Sequence, residues 1–469
     1  MKVSAGRGLS MADSLRQSGN DMRKVLMIAH SFPPFRSVGG SIRVVKFIKY
    51  LPAMGWRPVV LTIDDRREYD TQRKQGSEAL LQDIPPQVRI YRTAAAEPSV
   101  ELLERGREAR RKNWLAAIVV NFLSSTRRRA NRYLLLPDEH ITWLPFALRL
   151  GQQVVRKEGI EVIFATCPPH SVALIGAVLK RLTGKPLLLD FRDDWIDTPW
   201  HRSKPWLNRW IERRLEKWAV KTADRVILVT EWSKNAFVAR YPREPKGKFI
   251  FIPNGCDLDD YAILKQTADR PRDSHFTIVH AGLLSEAEDW KRSPEAFLQA
   301  LCRIRQQHPD LAAKLTVAFT GHLPETYRCM VANMGLSSVV KEVGHLPCDE
   351  FIRFMKVADL LLAINYEGFS TLIPGKIYEY WAVGGPPILL LSCRGAAQSL
   401  VEQHELGITV PPYDVEAIQQ AVLTVYRRRE MGSPLQVNTA GIEEYDRKEL
   451  AKKLAQTLSS VHLRRGSAD

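Results

Sequence analysis

The strongest constraint on the fold is a series of short apolar runs in which apolar and polar residues do not alternate. Lys24–Ala29 (KVLMIA) is the first run, Arg57–Thr62 (RPVVLT) is the second, and a helix-length segment separates them. Such runs are typical of strands that are buried on both faces of a parallel sheet. Because strand and helix patterns keep alternating as far as Gly407–Val410, the sequence predicts an α/β fold with doubly wound parallel sheets.

A polar stretch divides this series into two halves. Residues 262–275 (AILKQTADRPRDSH) are polar and contain proline, which favours a linker. We therefore expect one domain over 23–265 and a second over 266–440. Residues 1–22 are polar and rich in Ser, Gly and Arg, which predicts a flexible leader, and residues 441–469 end the chain as a separate helical segment.

The bulk composition disfavours several classes of protein. The six cysteines form no CxxC pair, so neither a disulfide framework nor a zinc site is indicated. No apolar run approaches the ~20 residues that a spanning helix needs, and the N-terminal stretch lacks the apolar core of a signal peptide. These features favour the cytoplasm. The formal net charge of +16 indicates a polyanionic partner, which could be nucleic acid, anionic lipid or a phosphorylated substrate.

Much of that charge lies in the segment 105–132. Nine of its residues are Arg or Lys, and Glu108 is its one acidic residue. Between the two basic ends, Trp114–Leu123 is apolar except for Asn121 and is too short to span a bilayer. Basic ends around an aromatic and apolar centre suit a segment that lies in the interface of an anionic membrane. The alternative is a solvated basic helix that packs one face on the domain.

The stretch Asn365–Leu391 has the pattern of an anion site. An apolar strand end leads into a loop that contains Gly368, and a short helix is predicted over Lys376–Val383, before a second apolar strand at Ile388–Leu391. The N–H groups at the start of such a helix point at one place, which suits a diphosphate. Glu379 lies one turn inside the helix, where it could accept hydrogen bonds from sugar hydroxyls. The alternative is an ordinary strand–helix crossover whose glycines only form turns.

Polar loops also follow predicted strands in the first half. The motif DFRDDW contains Asp193 and the motif TCPPHS contains His170, each directly after an apolar strand. In open α/β sheets, ligands bind at the carboxyl ends of the strands. The loop after the first strand contains Gly39 and Gly40, where a backbone can approach a ligand closely, and Ser41 is the predicted N-cap of the helix that follows.

In their order and spacing, these features resemble family-4 glycosyltransferases of the GT-B fold, and the resemblance runs from about Val25 to Leu458. The motifs that carry it are SFPPFRSVGGSIR, PDEHITWLP, TCPPHS, DFRDDW, ADRVILVTEWS, IPNGCDLDDY, HAGLL with KRSPEAFLQAL, VGHLP and PGKIYEYWAVGGPPILLL. IPNGCD and the last motif are the most specific of them.

The resemblance implies the GT-B architecture of two facing Rossmann-like domains with parallel sheets. The N-terminal domain is then expected to bind the acceptor, and the C-terminal domain is expected to hold a nucleotide-sugar donor. A final helix usually crosses back to the N-terminal domain, a place that Glu443–Leu458 suits. The resemblance also implies transfer with retention at the anomeric carbon, with no metal ion and no other cofactor.

On the donor side, the family generally has an Arg and a Lys, five residues apart, just after the glycine of the first C-terminal strand. Here Leu283 follows Gly282, so that Arg is missing from its usual place. Lys291 and Arg292 come eight and nine residues after Leu283, and Arg292 is the predicted ligand of the diphosphate, with Lys376 as a second candidate. A cation at a helix start is unfavourable unless an anion binds there, although the pair could simply be solvated.

The family's two-glutamate motif is only partly matched. Glu379 stands at the second position, which is expected to hold the ribose hydroxyls. Thr371 stands where the first glutamate belongs, and Glu367 lies four residues too early. Either a longer loop returns Glu367 to the donor sugar, or the loop replaces it. The replacing groups would be Thr371, Leu372, Ile373 and Pro374.

On the acceptor side, Asp193 and His170 are the predicted catalytic residues, together with Arg292. Asp193 or His170 could orient the acceptor hydroxyl or stabilise positive charge on the sugar ring. The alternatives are a salt bridge between Asp193 and Arg192 and a structural hydrogen bond from His170. Gly39 and Gly40 are expected to let their loop approach the diphosphate, unless they only form a turn.

We therefore expect a glycosyltransferase that moves a sugar from a nucleotide donor to a glycan or lipid-linked acceptor in cell-surface polysaccharide biosynthesis. It would work as a peripheral protein on the inner face of the cell membrane, held there by segment 105–132. The alternatives are a sugar-nucleotide epimerase of the same fold and a donor-binding scaffold with little activity. Nucleic-acid binding has only the net charge in its favour and is not expected.

Overall fold

The computed structural model describes residues 22–34, 38–64, 80–95, 134–266, 275–282, 284–286, 292–344 and 346–466. The N-terminal half forms a seven-stranded parallel sheet. Its strands are β1 (Arg23–Ile28), β2 (Trp56–Ile63), β3 (Arg89–Thr93), β4 (Val162–Cys167), β5 (Leu187–Phe191), β6 (Arg225–Leu228) and β7 (Phe249–Phe251). They lie in the order β3-β2-β1-β4-β5-β6-β7, so the chain winds outward from β1 in both directions.

The C-terminal half forms a six-stranded parallel sheet with the same winding. Its strands are β8 (Phe276–Ala281), β9 (Leu315–Thr320), β10 (Val340–Gly344), β11 (Leu360–Ile364), β12 (Ile388–Leu391) and β13 (Gly407–Val410). Their order is β10-β9-β8-β11-β12-β13. Two doubly wound parallel sheets in one chain confirm the predicted fold class.

Fourteen α-helices among the described residues connect and cover the strands. The first seven are α1 (Val38–Tyr50), α2 (Leu144–Glu158), α3 (Ser171–Thr183), α4 (Pro199–Arg202), α5 (Trp206–Thr222), α6 (Glu231–Arg240) and α7 (Glu295–Gln307). The others are α8 (Pro309–Lys314), α9 (Glu325–Asn333), α10 (Cys348–Lys356), α11 (Lys376–Val383), α12 (Ala396–Gln403), α13 (Val415–Glu430) and α14 (Arg447–Gly466). None of them is long and apolar enough to cross a membrane.

The absence of polar positions in the strands follows from burial on both faces. In β1, Leu26 and Ile28 pack into the core on one side of the sheet, and Val25 and Met27 pack into the core on the other. Successive side chains of a strand point to opposite faces, so a strand covered on both sides needs apolar residues at every position. The second sheet has the same arrangement, with separate cores on its two faces.

The last helix, α14, returns from the second half and packs on the first sheet beside α1. Leu450, Leu454 and Leu458 are fully buried there. Burial of one leucine side chain stabilises a fold by roughly 1.5–3 kcal/mol, so these three contacts hold the helix firmly. The Trp56 Nε1–H also donates to Ser459 Oγ at 3.3 Å. The predicted crossing helix is therefore present.

The chain passes twice through the space between the sheets, and the two passages bond to each other. The Cys256 N–H donates to the Tyr445 carbonyl at 3.2 Å, and the Arg447 N–H donates to the Cys256 carbonyl at 2.8 Å. A Cβ on Gly255 would lie 1.8 Å from the Tyr445 carbonyl oxygen, so only glycine fits there. This close approach is the physical reason for the glycine in the IPNGCD motif.

Two boundary predictions need correction or restriction. The loop expected at Gly39 and Gly40 is wrong, because α1 already begins at Val38 and Ser41 lies inside the helix rather than at its N-cap. Burial of the apolar face of α1 outweighs the cost of about 1 kcal/mol that each glycine adds. The predicted linker begins inside a 3-10 helix, Leu258–Gln266, and its residues 267–274 lie outside the described residues.

A cluster of charges ties α1 to the segment that leaves the first sheet. Lys46 Nζ lies 2.7 Å from Asp83, 2.6 Å from Asp257 and 3.0 Å from Asp260. Lys49 Nζ adds a contact of 2.8 Å to Asp257. Burial alone would raise the pKa of Asp257, but the hydrogen bonds from Lys46, Lys49 and a tyrosine hydroxyl hold it at about 2.

Replacement of Lys46 tests this cluster. Lys46→Met is expected to lower the free energy of unfolding by about 3 kcal/mol, because the buried carboxylates lose the cation that holds them together. Urea unfolding at pH 7 measures the change. Lys452→Met, which removes only an exposed contact to Glu449, should stay within about 0.5 kcal/mol of the wild type.

The same cluster predicts the acid stability of the fold. The pKa of Asp257 is depressed from its ordinary 3.8 to about 2, so its contribution is present above about pH 4 and disappears as the pH falls towards 2. The Lys46→Met protein should therefore lose less stability than the wild type over that interval. An equal loss in both proteins would contradict the assignment.

Candidate active site

The carboxyl ends of the two sheets face each other across a cleft that three hydrogen bonds bridge. Thr371 Oγ1 donates to Asp194 Oδ2 at 2.8 Å, and the Thr230 hydroxyl donates to the Thr371 carbonyl at 2.7 Å. Arg202 Nη2 donates to the Gly368 carbonyl at 3.0 Å. The loop between β11 and α11 thus closes against the polar loops of the first half.

Helix α11 begins at Lys376, which the sequence had predicted, and this lysine is buried. Its Nζ donates to the Ala281 carbonyl and lies 3.3 Å from His280 Nε2. His280 Nδ1 lies 2.9 Å from the Leu362 carbonyl, which can only accept, so Nδ1 carries the proton and Nε2 accepts. Burial, and then the charge of Arg292, hold the pKa of Lys376 well below its usual range.

The glycine after β8 makes room for that lysine. Gly282 has φ +96°, a left-handed conformation that favours glycine, and a Cβ there would lie 3.4 Å from Lys376 Nζ. Leu283, which stands where the family has an arginine, lies outside the described residues, as does Lys291. The predicted substitute, Arg292, is described.

Arg292 is buried at the start of the segment that leads into α7. Its guanidinium carbon lies 3.9 Å from the ring centroid of Tyr366, and its backbone pairs with Ser285. Burial lowers the pKa of Arg292, while Asp193 from the first half raises it. The structure thus brings Arg292, Lys376 and Asp193 into one electrostatic neighbourhood.

Asp193 is partly buried in the cleft. Burial raises the pKa of its carboxyl group, and the charges of Arg192 and Arg292 lower it. The salt bridge to Arg192 that the sequence left open is not formed, since this guanidinium donates to the carbonyls of Cys167, Pro168 and Gly40 instead. Within the described residues, the carboxylate of Asp193 accepts no hydrogen bond, so its oxygens remain open to a ligand.

Glu379 lies one turn inside α11, as expected, and is close enough to Arg447 for their charges to interact. Burial raises the pKa of Glu379, whereas the charges of Lys376 and Arg447 lower it. Burial lowers the pKa of Arg447 to about 10. Its Nε and Nη1 are buried and have no hydrogen-bond partner among the described residues. A carboxylate and a guanidinium with unsatisfied donors therefore lie near each other.

The loop residues that were predicted to contact the donor sugar lie in two different places. Thr371 is engaged by Asp194 and Thr230, while Leu372 and Ile373 are half-buried and Pro374 is buried. Glu367 instead lines a cavity of about 170 Å³ next to Arg292 and Tyr366. Other residues of its lining include Ser293, Asn365 and Tyr413. The structure does not place Glu367 and Thr371 in the same pocket.

The remaining predicted residues have structural contacts. His170 Nε2 lies 3.3 Å from the Asp193 carbonyl, and its ring stacks on Trp195 with centroids 5.2 Å apart. Burial lowers the pKa of His170 to about 4, so it is neutral near pH 7. Gly40 accepts a hydrogen bond from Arg192, and Gly39 lies beside it in the first turn of α1.

The sequence missed two residues of this cleft. His280 lies at the end of the apolar run of β8, and the motif HAGLL that begins with it did not by itself indicate a place in the cleft. Arg447 is the first residue of α14. A basic residue is unfavourable at a helix start, which is a weak sequence signal for a bound anion or a nearby carboxylate. Among the described residues, no group of three or more His, Cys, Asp or Glu side chains is placed to hold a metal ion.

Comparisons with known families match most of the chain. Residues 38–255 match the family described as "Glycosyl transferase 4-like domain", and residues 275–428 match "Glycosyl transferases group 1". The chain belongs to the GT-B glycosyltransferases, a class of enzymes. The two matched domains coincide with the two sheets on either side of the cleft.

Individual relatives of this glycosyltransferase are distant. A D-inositol 3-phosphate glycosyltransferase from Kribbella flavida is 22% identical over 221 residues, which cover 45% of this chain and 50% of that protein. The chain thus spans about half the length of the curated relatives that it matches.

Two solved structures illustrate the fold. An α,α-trehalose 6-phosphate synthase from Burkholderia multivorans superposes on this chain with a TM-score of 0.64 at 13% sequence identity. The superposition covers 95% of this chain and 98% of the synthase. A UDP-GlcNAc 2-epimerase from Neisseria meningitidis, bound to UDP-GlcNAc, superposes with a TM-score of 0.54 at 13% sequence identity. That superposition covers 93% of this chain and 100% of the epimerase. At these identities, the likeness shows the fold alone.

The hydrogen bond from Thr371 to Asp194 across the cleft can be tested by removing the Thr371 hydroxyl. Thr371→Val keeps the side-chain shape but removes the donor to Asp194, and it is expected to lower the free energy of unfolding by about 2 kcal/mol. Urea unfolding measures the loss, with the exposed Thr326→Val as the matched control. Equal stabilities of both variants would mean that this contact does not hold the cleft together.

Proposed function

We propose that the protein transfers a sugar from a nucleoside-diphosphate sugar to an acceptor hydroxyl in this cleft. The observation that carries the proposal is that two basic side chains, Arg292 before α7 and Lys376 at the start of α11, are both buried and lie close enough for the charge of Arg292 to lower the pKa of Lys376. Two buried cations repel each other, and burial disfavours the charge on both. A bound diphosphate would stabilise both charges at once.

The same cations suit the chemistry of the transfer. The bond from the anomeric carbon to the diphosphate breaks while a bond to the acceptor oxygen forms, so negative charge grows on the leaving group. Arg292 and Lys376 would stabilise that charge. Glu379 would hold the ribose hydroxyls, and the open carboxylate of Asp193 would favour positive charge on the sugar ring.

Retention at the anomeric carbon and independence of metal ions belong to the proposal, with the side chains above in place of a metal. For the acceptor, we propose a glycan or a lipid-linked saccharide of cell-surface polysaccharide biosynthesis. The protein would then act on the inner face of the cell membrane. Segment 105–132 lies outside the described residues, so its part in membrane binding stays a prediction.

A sugar-nucleotide epimerase is the main alternative, because that chemistry occurs on the same fold. An epimerase converts its nucleotide sugar without an acceptor, whereas a transferase needs one for turnover. A scaffold with little activity would bind the donor without turnover. An assay with and without acceptor separates the three.

The donor can be identified by thermal shift with UDP, GDP, ADP and dTDP sugars, followed by product analysis with the best donor. At least one of them is expected to raise the melting temperature. Arg292→Ala should lower kcat/KM about 100-fold, and Glu379→Ala should abolish the stabilisation by the donor. Arg427→Ala, on the exposed side of α13, is the control. A protein that no nucleotide sugar stabilises at millimolar concentration would rule out the proposal.

Lys376 predicts a pH dependence of donor binding. Its pKa is low in the free protein, and a bound diphosphate would raise it, so binding takes up a proton. The affinity for the matching nucleoside diphosphate should therefore fall as the pH rises above the pKa of the free side chain. Isothermal titration in buffers of different ionisation enthalpy measures the uptake.

Lys376→Met is the decisive variant for this effect. It should bind the nucleoside diphosphate about tenfold more weakly or worse and should lose the proton uptake. Lys341→Met, at an exposed position of β10, should behave like the wild type. Undiminished proton uptake in the Lys376→Met protein would assign the titration to another group.

A further inference from the structure

Helix α5 buries both of its acidic residues and exposes two of its three tryptophans, whereas Trp218, Ala219 and Val220 pack on the core. Glu212 and Glu216 have exposures of 1% and 0%. On the opposite side, Trp206, Leu207 and Trp210 have exposures of 72%, 48% and 51%. A helix that covers a protein core normally shows the reverse arrangement.

Buried cations explain the inward carboxylates. Lys204 Nζ lies 2.5 Å from Glu212 Oε1, and Arg240 Nη1 lies 3.0 Å from Glu216 Oε1. The Ile196 N–H also donates to Glu216 at 3.2 Å. Both negative charges of α5 are therefore neutralised within the protein.

The outward face of α5 is left with positive charge alone. Its basic residues are Arg209, Arg213, Arg214, Lys217 and Lys221. The exposed acid near them is Asp197, which is shared between Arg213 at 3.6 Å and Arg240 at 2.9 Å. The guanidinium carbon of Arg214 lies 4.9 Å from the ring centroid of Trp210, so the cation and the aromatic ring are presented together.

Exposed tryptophans beside cations fit one environment well. Indole rings favour the boundary between lipid headgroups and acyl chains, and each Lys or Arg near an anionic leaflet strengthens the attraction. Exposed contiguous apolar patches in soluble regions usually mark an interaction site. The absence of any outward carboxylate on α5 is complementary to an anionic surface.

This face lies beside the mouth of the cleft. Helix α4 directly precedes α5, and its Arg202 bonds to the Gly368 carbonyl on the other wall. The Trp200 ring lies 5.1 Å from Phe369 of the same loop. A surface that touches α5 would therefore lie next to the entrance for an acceptor.

We propose that the outward face of α5, defined by Trp206, Leu207, Trp210, Arg214 and Lys217, docks on the headgroup region of an anionic membrane. This docking surface is separate from segment 105–132. It deepens the proposed function by naming a membrane contact next to the acceptor side of the cleft. It can be measured without turnover, so a failure of one does not imply a failure of the other.

Sedimentation with vesicles tests the proposal. The wild-type protein is expected to sediment with vesicles of phosphatidylcholine mixed with phosphatidylglycerol, and not with phosphatidylcholine alone. Arg214→Gln with Lys217→Gln should weaken binding about thirtyfold, since each removed cation near the surface costs roughly a factor of five. Trp206→Ser with Trp210→Ser should weaken it at low and high salt alike, because the lost contact is apolar.

Matched controls come from the C-terminal end of α13 and the residue that follows it. Arg427→Gln with Arg428→Gln removes two exposed cations, and Met431→Ser removes an apolar side chain that is 78% exposed. Both should bind vesicles like the wild type. Thermal melting with and without the best nucleotide sugar shows that each variant is folded and retains its donor site.

Three outcomes would overturn the proposal. The α5 variants could bind vesicles like the wild type while neutralisation of Arg127, Arg128 and Arg129 abolishes binding, which would assign the membrane contact to segment 105–132. The wild type could fail to sediment with either vesicle. Finally, the tryptophan variant could change only the sedimentation velocity of the free protein, which would mean that the face binds a second copy of the chain.

Discussion

The two halves of the protein depend on one crossing, where Gly255–Cys256 bonds to the backbone at Tyr445–Arg447. Both connections between the sheets run through this place, and no side chain larger than glycine fits at position 255. The crossing also fixes the start of α14, whose first residue, Arg447, is buried. A backbone contact required by the fold thus also brings a positive charge close to Glu379.

The cleft holds charges in unfavourable surroundings. Burial pushes the pKa values of Arg292 and Lys376 down and those of Asp193 and Glu379 up, so each group is less favourable in its charged form than in water. In the proposed function, a ligand with a diphosphate and hydroxyl groups would offset this cost, which is the basis of preorganised electrostatic stabilisation.

The fold was largely predictable from the sequence because buried strands and their glycine and proline boundaries are local signals. The bounds of α11 and β12 agree with the prediction, and Glu379 faces the cleft for that reason. The start of α1 was mispredicted because tertiary burial outweighed glycine's low helix propensity. His280, Arg447 and the bond from Thr371 to Asp194 depend on distant parts of the chain meeting, and no local pattern encodes such meetings.

Helix α5 also shows that a local sequence pattern does not predict contacts between distant parts of the chain. Its three tryptophans recur at helical spacing, which by itself favours a buried aromatic stripe. The structure buries the carboxylates instead, because Lys204 and Arg240 come from neighbouring segments to meet them. Once the acids are inside, the outward charge of the helix is positive, and Trp206 and Trp210 face outward while Trp218 packs on the core. Because α4 joins this helix to the cleft through Arg202, the proposed membrane contact would lie next to the cleft.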